Sequence, residues 1–334
     1  MTVARHRAAR TIGRMRLTDR TLGMIASPIA EAHAWLPHRT HDRPLLDLSQ
    51  AAPSYPTAPV IAARVAEVAA EPDGGRYAPP PGLPALKEAF ADELSVRGAA
   101  ITPDQVLPTA GCNQAFCVTT SALTEPGDEV ILQVPYYFNH DMWLKLDGVT
   151  PRYAFPDDDM QPSLERTAAL VTERTRAIVL VSPGNPTGVT VPPATIRAFA
   201  ELARAHDIAL ILDETYRNFR DTTEPPHDLF ADPGWVDTVV SLHSFSKDLA
   251  IPGHRVGAVV AGPAVIYEIM KLLDCVQISA PRIGQEAVVA GLREAGAWRA
   301  EQSARIDGSL ARFRAVMADR PGGFELVTSG AFFG

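Results

Sequence analysis

One lysine lies among residues that could make its amine reactive. Residues 244–247 read Ser-Phe-Ser-Lys, and residues 252–257 read Pro-Gly-His-Arg-Val-Gly. An amine that is partly removed from water loses its proton more easily and can attack a carbonyl to form a Schiff base. The two hydroxyls and the guanidinium nearby would suit a phosphate group. Considered alone, Lys247 would more simply be a solvated loop lysine, so the surrounding sequence has to decide.

Two further motifs supply that context. Residues 182–188 read Ser-Pro-Gly-Asn-Pro-Thr-Gly, a rigid turn from which the Asn185 amide could point at a phenolate-like oxygen. Asp213 places a carboxylate three residues before the phenol of Tyr216. In isolation Asp213 could cap a turn and Tyr216 could belong to the core. Their occurrence together with Lys247 favours a catalytic site.

The elements that carry these motifs are predicted to be strands of a mostly parallel sheet. Short runs rich in Val, Ile and Leu alternate with segments of helical period, which is typical of a sheet covered by helices on both faces. Ligands gather at the carboxyl ends of such strands. The predicted strands are residues 105–109, 128–135, 177–183, 208–214, 238–243 and 256–261, and the predicted helices include residues 84–96 and 193–206.

A change of pattern after about Tyr267 predicts a second, more helical domain. Its last long helix, residues 297–320, carries apolar side chains along one face, namely Trp298, Ile306, Leu310, Phe313 and Val316. The final run, residues 324–334, has the character of the beginning of a strand pair.

Composition excludes several classes of function. The chain has 334 residues, 46% hydrophobic and 21% charged, which is typical of a globular protein with room for two domains. A formal net charge of -8 gives no general attraction to nucleic acid or to an anionic membrane. The three cysteines form no Cys-x-x-Cys pair, so we expect no metal site and a reducing, cytoplasmic location. The sequence contains no run of 18 consecutive apolar residues, so we expect no transmembrane helix.

The amino terminus is strongly basic. The first 24 residues contain a single acidic residue, Asp19, and arginines at positions 5, 7, 10, 14, 16 and 20. This composition overlaps with organellar transit peptides. A loosely ordered basic arm, or a true start at Met15, is the preferred interpretation.

Taken together, the motifs resemble the class I and II aminotransferases, which are fold type I pyridoxal-phosphate enzymes similar to aspartate aminotransferase. The resemblance begins near Leu46 and rests on four separated motifs in the expected order. It implies a three-layer α/β/α large domain over residues 47–270, and a smaller α/β domain over residues 271–334 to which part of residues 1–46 contributes. It also implies a homodimer with active sites at the subunit interface. The implied reaction moves an amino group between an L-amino acid and a 2-oxo acid.

The resemblance assigns a role to each motif residue. Lys247 matches the lysine that holds pyridoxal 5'-phosphate as an internal aldimine and later moves the substrate's α-proton. Asp213 matches the carboxylate that keeps the pyridine nitrogen protonated, so that the ring can accept electrons. Asn185 and Tyr216 match the pair that hydrogen-bonds the 3-oxygen of the ring. Tyr137 matches the aromatic side chain that stacks on the ring.

The phosphate group would have its own set of residues. Backbone amides at the amino end of a helix beginning near Gln114 would meet it, because a helix amino terminus attracts anions. By similarity, the complete set is Gly111, Cys112, Asn113, Ser244, Ser246 and Arg255, with Tyr77 reaching across from the partner subunit.

The sequence departs from the family pattern at two places. Ala51 stands where a glycine is frequent, which could narrow the substrate pocket. The arginine that grips the substrate α-carboxylate normally follows the element at residues 330–333, where this chain stops, so we expect a missing C-terminal segment. Asp274 lies near the position at which dicarboxylate-specific relatives present an arginine. An aspartate there would suit a basic or neutral amino donor.

Two alternatives stay open. Elimination, cyclisation or oxidation of an amino acid could use the same Lys247, Asp213 and Tyr216. A non-catalytic, cofactor-sensing regulatory domain is a second possibility, although the residues before the resemblance are too few for a DNA-binding domain of normal size.

Overall fold

The computed structural model describes residues 15–38, 40, 42–96, 98–220, 222 and 224–334. Most of the predicted basic arm, including Arg5, Arg7, Arg10 and Arg14, lies outside these residues. Within the described ranges, no helix has both the length and the apolar character needed to cross a bilayer.

The centre of the fold is one seven-stranded sheet with the order β1-β7-β6-β5-β4-β2-β3. Strands β2 to β6 pair in parallel, whereas β7 runs antiparallel to both β6 and β1. The prediction of a mostly parallel sheet is therefore confirmed. The strands are β1 (Val106–Thr109), β2 (Glu129–Gln133), β3 (Thr150–Ala154), β4 (Thr175–Val181), β5 (Ala209–Asp213), β6 (Val239–Ser244) and β7 (Gly257–Val260).

One strand was not among those predicted from the sequence. β3 reads Thr-Pro-Arg-Tyr-Ala and pairs with β2 at the edge of the sheet, with no second partner strand among the described residues. An edge strand has one open side, so it tolerates Pro151 and the polar Arg152 where a central strand would not. The apolar runs that mark the central strands are therefore missing from its sequence.

Helices cover both faces of the sheet and complete a three-layer α/β/α arrangement, as expected. Along β2, Ile131 faces one apolar cluster, whereas Val130 and Leu132 face the other. Helices α3, α4, α8 and α10 contribute to the first cluster, and α5, α6 and α9 contribute to the second. The helices are α1 (Asp19–Gly23), α2 (Pro28–Trp35), α3 (Pro59–Ala70), α4 (Pro84–Leu94), α5 (Cys112–Leu123), α6 (Phe138–Asp147), α7 (Leu164–Ala168), α8 (Pro193–Ala205), α9 (Pro263–Gln277), α10 (Arg282–Glu294) and α11 (Gly296–Ala318).

The long helix α11 differs from its predicted packing. Its first half contacts the body of the protein, where Trp298 packs edge-on against Tyr55 with ring centroids 5.8 Å apart. Further along, Phe313 is 39% exposed and Val316 is 61% exposed. The predicted apolar stripe is therefore only half covered. The run after α11 forms one isolated β-bridge, between Gly330 and Phe333. The described residues of this run form no strand pair longer than that bridge.

The sheet topology brings all the sequence motifs to one edge. Because β1, β2, β4, β5 and β6 point the same way, their carboxyl ends meet along that edge. The antiparallel β7 begins there, with Gly257 paired to both Thr109 and Ser244. In the same row, Val181 of β4 pairs with Asp213 of β5.

Candidate active site

Lys247 lies in the turn that follows β6, and its side chain is half-buried. Its Nζ donates a hydrogen bond to the backbone oxygen of Ala51. Burial lowers the pKa of Lys247 to about 8, and the positive charge of Arg255 acts in the same direction. Roughly a tenth of the lysine amines are then uncharged at pH 7, far more than for an ordinary lysine. The segment that departs from the family pattern at Ala51 thus lies directly against this amine.

Asp213 is the last residue of β5 and is buried. Its Oδ1 accepts a hydrogen bond from the Thr215 backbone N–H at 2.9 Å and one from the Cys112 thiol at 3.7 Å. Its Oδ2 lies 3.4 Å from Nε2 of His140. Burial by itself raises the pKa of Asp213, but His140 and the hydrogen bonds from Thr215 outweigh it and hold the pKa below its usual value. The edge therefore carries an ionised carboxylate.

His140 is a candidate site residue that the sequence analysis missed. It lies in the first turn of α6, is buried, and stacks on the ring of Phe116 with centroids 3.9 Å apart. Its position three residues after Tyr137 is the signal that could have found it, because that spacing puts both side chains on one side of the helix start. A lone histidine near an apolar helix is commonly a core residue, so the signal is weak.

Asn185 and Tyr216 flank this carboxylate. The turn that carries Asn185 begins beside Asp213, since the backbone N–H of Ser182 donates to the Asp213 backbone oxygen at 3.0 Å. Asn185 and His140 line one small cavity. Tyr216 is buried, with its ring edge-on to Phe333 at 5.0 Å. Burial, followed by the negative charge of Asp213, raises the pKa of Tyr216 well above its usual value, so its hydroxyl keeps its proton.

The amino terminus of α5 opens onto the same edge. Gly111 is the N-cap residue and has a φ of 86°, a conformation that side chains rarely adopt. Because this turn brings the chain straight into the helix, α5 begins at Cys112, earlier than the Gln114 start predicted. A Cβ on Gly111 would lie within 3.0 Å of the Arg255 guanidinium carbon. A Cβ on Gly257 would lie 2.7 Å from the backbone nitrogen of Cys112. Only glycines permit this approach.

Arg255 connects the turn before β7 to the turn after β1. Its Nη1 donates to the Pro252 backbone oxygen at 3.0 Å, and its Nη2 donates to that of Ala110 at 3.4 Å. On the neighbouring strand end, the Ser246 backbone N–H donates to Oγ of Ser244 at 3.3 Å. The guanidinium, the serine hydroxyls and the first N–H groups of α5 thus belong to adjoining turns.

Tyr137 and Tyr77, both assigned to the cofactor from the sequence, have different surroundings, and so does the neighbouring Tyr136. The Tyr137 hydroxyl donates to Oδ1 of Asn113 at 3.3 Å and accepts from Nδ2 of Asn139 at 2.9 Å. Tyr136 instead stacks on Tyr153, with centroids 5.3 Å apart. Tyr77 is 77% exposed, and the fold of its own chain does not bring it into this group.

Residues 43–333 match the model of a known family, described as aminotransferase class I and II. The chain belongs to the class I and II aminotransferases. It is 33% identical over 222 residues to a probable aspartate/prephenate aminotransferase of Thermus aquaticus, covering 65% of this chain and 57% of that protein. It is 35% identical over 254 residues to an arginine–pyruvate transaminase of Pseudomonas aeruginosa, covering 74% of this chain and 63% of that protein.

Solved aminotransferases share the fold. The aspartate aminotransferase from Thermus thermophilus, solved with maleate, superposes with a TM-score of 0.84 at 28% identity. The superposition covers 95% of this chain and 84% of that one. In sequence, the chain spans 57% and 63% of the lengths of the two relatives named above.

Class I and II aminotransferases of the aspartate type depend on pyridoxal phosphate, and the residues at this edge fit that group. Lys247 offers an amine whose lowered pKa makes the uncharged form, the one that attacks an aldehyde, more available. Asp213 offers a buried negative charge for a protonated ring nitrogen. The glycine-bounded start of α5, together with Arg255, offers a cradle for a phosphate dianion.

Proposed function

We propose that the protein to which this chain belongs transfers amino groups between an L-amino acid and a 2-oxo acid, with pyridoxal 5'-phosphate as its cofactor. The observation that carries this proposal is the half-buried Lys247, which lies at the same sheet edge as the ionised Asp213 and has a pKa of about 8. Membership of the aminotransferase family and the named transaminase relatives support it.

When bound, pyridoxal phosphate supplies a carbonyl for an amine to attack and a ring that takes up electrons from the substrate's α-carbon. Lys247 would hold it until an amino donor takes the place of the lysine. The released Lys247 amine would then accept the α-proton at Nζ and return it to a neighbouring carbon. A base works best when its pKa lies near the working pH, and the lowered pKa of Lys247 meets this condition.

The other residues would bind and orient. Asp213 would hold a proton on the ring nitrogen, because its carboxylate stays ionised while buried. The Tyr216 hydroxyl and the Asn185 amide N–H would each donate a hydrogen bond to the 3-oxygen. Tyr137 would cover one face of the ring, held in place through Asn113 and Asn139.

The phosphate would be bound by residues of three turns. Charge-assisted hydrogen bonds from a guanidinium and backbone N–H groups at a helix amino terminus suit a dianion. The proposed set is Gly111, Cys112 and Asn113 at the start of α5, Ser244 and Ser246 after β6, and Arg255 before β7.

We also propose a homodimer in which Tyr77 of the partner subunit completes the phosphate site. This is supported by the 77% exposure of the Tyr77 ring, which a monomer would leave in water. Residues 47–270 would form the cofactor-binding domain and residues 271–334 the small domain. Three free cysteines favour a reducing compartment such as the cytoplasm.

The amino donor is proposed to be basic or neutral rather than aspartate or glutamate. Asp274 on α9 is exposed and would repel a second substrate carboxylate placed near it. One named relative acts on arginine and another on aspartate, so a donor panel has to decide. A clear preference for aspartate or glutamate over arginine, lysine and aromatic donors would contradict this assignment.

The central test is absorption spectroscopy of the purified protein with and without pyridoxal phosphate, repeated with Lys247→Ala. We expect a pH-sensitive visible band in the wild type and none in this variant. Lys87→Ala is the matched control, because burial also lowers the pKa of Lys87 but that residue lies on α4. The band should persist in the control.

Reaction type is decided by the products. A donor should abolish the visible band and yield one oxo acid, and a 2-oxo acid should restore the band. Release of ammonia or peroxide without an acceptor would indicate elimination or oxidation instead. A wild type that develops no band, or a Lys247→Ala variant that keeps it, would contradict the proposed function.

A further inference from the structure

A buried ionic cluster lies behind the turn that carries Lys247, and the proposed reaction does not use it. Arg299 donates to both oxygens of Glu93, at 2.8 and 3.0 Å, and its Nη2 lies 2.6 Å from Oδ2 of Asp248. The three side chains are between 10% and 23% exposed. We call Glu93, Asp248 and Arg299 the Arg299 cluster.

The Arg299 cluster joins three elements that are distant in sequence. Glu93 lies in the last turn of α4, Arg299 lies in the first turn of α11, and Asp248 is the residue after Lys247. A planar guanidinium that is shared between two carboxylates fixes their separation and orientation. Arg299 thus holds the turn through the Asp248 side chain. The preceding residue, Lys247, makes a different contact, in which its Nζ donates to the Ala51 backbone oxygen.

A second contact from α11 reaches the other loop of the site. The Asn218 side chain acts to lower the pKa of Asp248. The Asn218 backbone oxygen accepts a hydrogen bond from Oγ of Ser303 at 3.1 Å. Asn218 follows Tyr216 by two residues. The first two turns of α11 therefore fasten both the turn of Lys247 and the loop of Tyr216.

The charges in the Arg299 cluster show how much depends on the arginine. Burial raises the pKa of Asp248, and the charge of Arg299 opposes that effect. Burial also works to raise the pKa of Glu93, yet the Arg299 hydrogen bonds and charge hold it below its usual value. If the Arg299 guanidinium lost some of its N–H donors, the carboxylate of Glu93 or Asp248 would be buried without a full partner. The turn that carries Lys247 and Asp248 would then shift so that water could reach that carboxylate.

We propose that Arg299 is a positioning residue, which holds Lys247 in its half-buried place by binding the adjacent Asp248. The importance of this for catalysis rests on the proposed function. The placement of Lys247 is a property of the protein without cofactor, so it can be tested separately.

The test measures the pH midpoint at which Lys247 becomes reactive in cofactor-free protein, by acetic anhydride labelling and mass mapping of its peptide. The variants are Arg299→Lys, which keeps the charge but loses the fork, and Asp248→Ala, which frees the turn while Arg299 retains Glu93. The wild-type midpoint should lie near 8. In both variants it should rise by about one pH unit or more, toward the ordinary value for lysine, as the amine enters water.

The direction of the shift separates positioning from simple electrostatics. Removing the negative charge of Asp248 would by itself lower the pKa of a nearby lysine. A rise in Asp248→Ala therefore supports positioning. Arg293→Gln is the matched control, since Arg293 of α10 pairs with Glu88 of α4 at 4.0 Å but is 52% exposed. Its midpoint should equal that of the wild type.

A folded Arg299→Lys or Asp248→Ala protein with the wild-type midpoint would overturn the proposal. If Arg299→Lys does not fold, as judged by circular dichroism, Asp248→Ala decides by the same criterion. A wild type that binds no pyridoxal phosphate would contradict the proposed function, but it would leave this test valid.

Discussion

At the scale of single residues, Asp213 shows how a buried carboxylate can stay charged. Donors from three separate parts of the chain surround it: the Thr215 backbone, the Cys112 thiol and the His140 ring. A hydrogen bond to a charged group is worth about 1.5–3 kcal/mol, so losing a donor would be measurable. The thiol is the weakest donor of the three.

Cys112 provides a test of this account. Because a serine hydroxyl can replace the thiol as a donor and alanine cannot, Cys112→Ser should be more stable to unfolding at pH 7 than Cys112→Ala, by about 1 kcal/mol. Urea denaturation followed by circular dichroism measures the difference.

Cys117 is the matched control for Cys112, since it lies on the same helix and burial raises its pKa to about 12. Among the described residues, the thiol that donates a hydrogen bond to Asp213 is that of Cys112 and not that of Cys117. There alanine should equal or exceed serine in stability, because alanine is the better helix former. The same order of stabilities at both positions would show that the Cys112 donor has no effect.

At the scale of elements, the start of α5 and the reversed strand β7 build the proposed phosphate cradle together. Because Gly111 has no side chain, it leaves space for the Arg255 guanidinium. Gly257 leaves space for the backbone of the first turn of α5 in the same way. Gly257 is required by the neighbouring element, whereas Gly111 is required both by Arg255 and by its own φ of 86°.

Gly111→Ala should therefore weaken the binding of pyridoxal phosphate by about tenfold or more, which corresponds to a loss of about 1.4 kcal/mol. The cause is displacement of the Arg255 guanidinium by the added methyl group. Absorption titration of the protein with the cofactor measures the change.

Gly127→Ala separates this effect from backbone strain. Gly127 has a φ of 101°, so alanine is strained there too, but nothing lies within 4 Å of the added Cβ. We expect a similar loss of stability in both variants and weaker binding in Gly111→Ala only. Equal binding by the two proteins would rule out the contact as the cause.

At the scale of the whole molecule, buried charges beneath the sheet edge should make the fold sensitive to acid. Glu214 lies 2.7 Å from Oγ of Ser241, and its Oε2 lies 3.4 Å from Nε2 of His227 and 3.7 Å from Nε2 of His243. Burial lowers the pKa of His243 to about 4, against the opposing charge of Glu214. The histidine is therefore neutral in the folded protein at pH 7.

The sign of the pH dependence follows from that shift. An unfolded histidine takes up a proton below about pH 6.5, whereas the folded one resists until about pH 4. The unfolded state binds more protons in this window, so the stability contributed by His243 is complete above pH 6.5 and is lost as the pH falls to 4. The loss could reach about 3 kcal/mol.

Urea denaturation between pH 7 and 4 checks this with His243→Gln, which should lose less stability over the window than the wild type. Phe90→Leu is the comparison, because the Phe90 ring packs edge-on against His243 at 4.9 Å and does not titrate. It should lower stability at every pH without changing the slope. If the free energy of unfolding of His243→Gln fell with pH as steeply as that of the wild type, His243 would be excluded as the cause of the acid sensitivity.

The central strands could be predicted from sequence because burial on both faces leaves continuous apolar runs, as in residues 177–181. The edge strand β3 could not, because one open side allows polar residues and a proline. Lys247, Asp213 and Asn185 could be proposed because each lies at or just after the end of such a run. Arg299 could not, since its partners are set by tertiary packing and leave no periodic signal. His140 left only the weak signal of its spacing from Tyr137, because its contact with Asp213 is also set by tertiary packing.

The pairing of β1 with β7 has a consequence for the order of folding. Ala110 and Arg255 are separated by 145 positions along the chain, yet they share one hydrogen bond. During synthesis, the amino-terminal part of the proposed cradle must wait until β7 has emerged from the ribosome. Contacts between such distant segments form slowly, because a long loop has to close first. Capture of pyridoxal phosphate would thus be a late event, and a cofactor that binds only the finished fold would draw the last step toward completion.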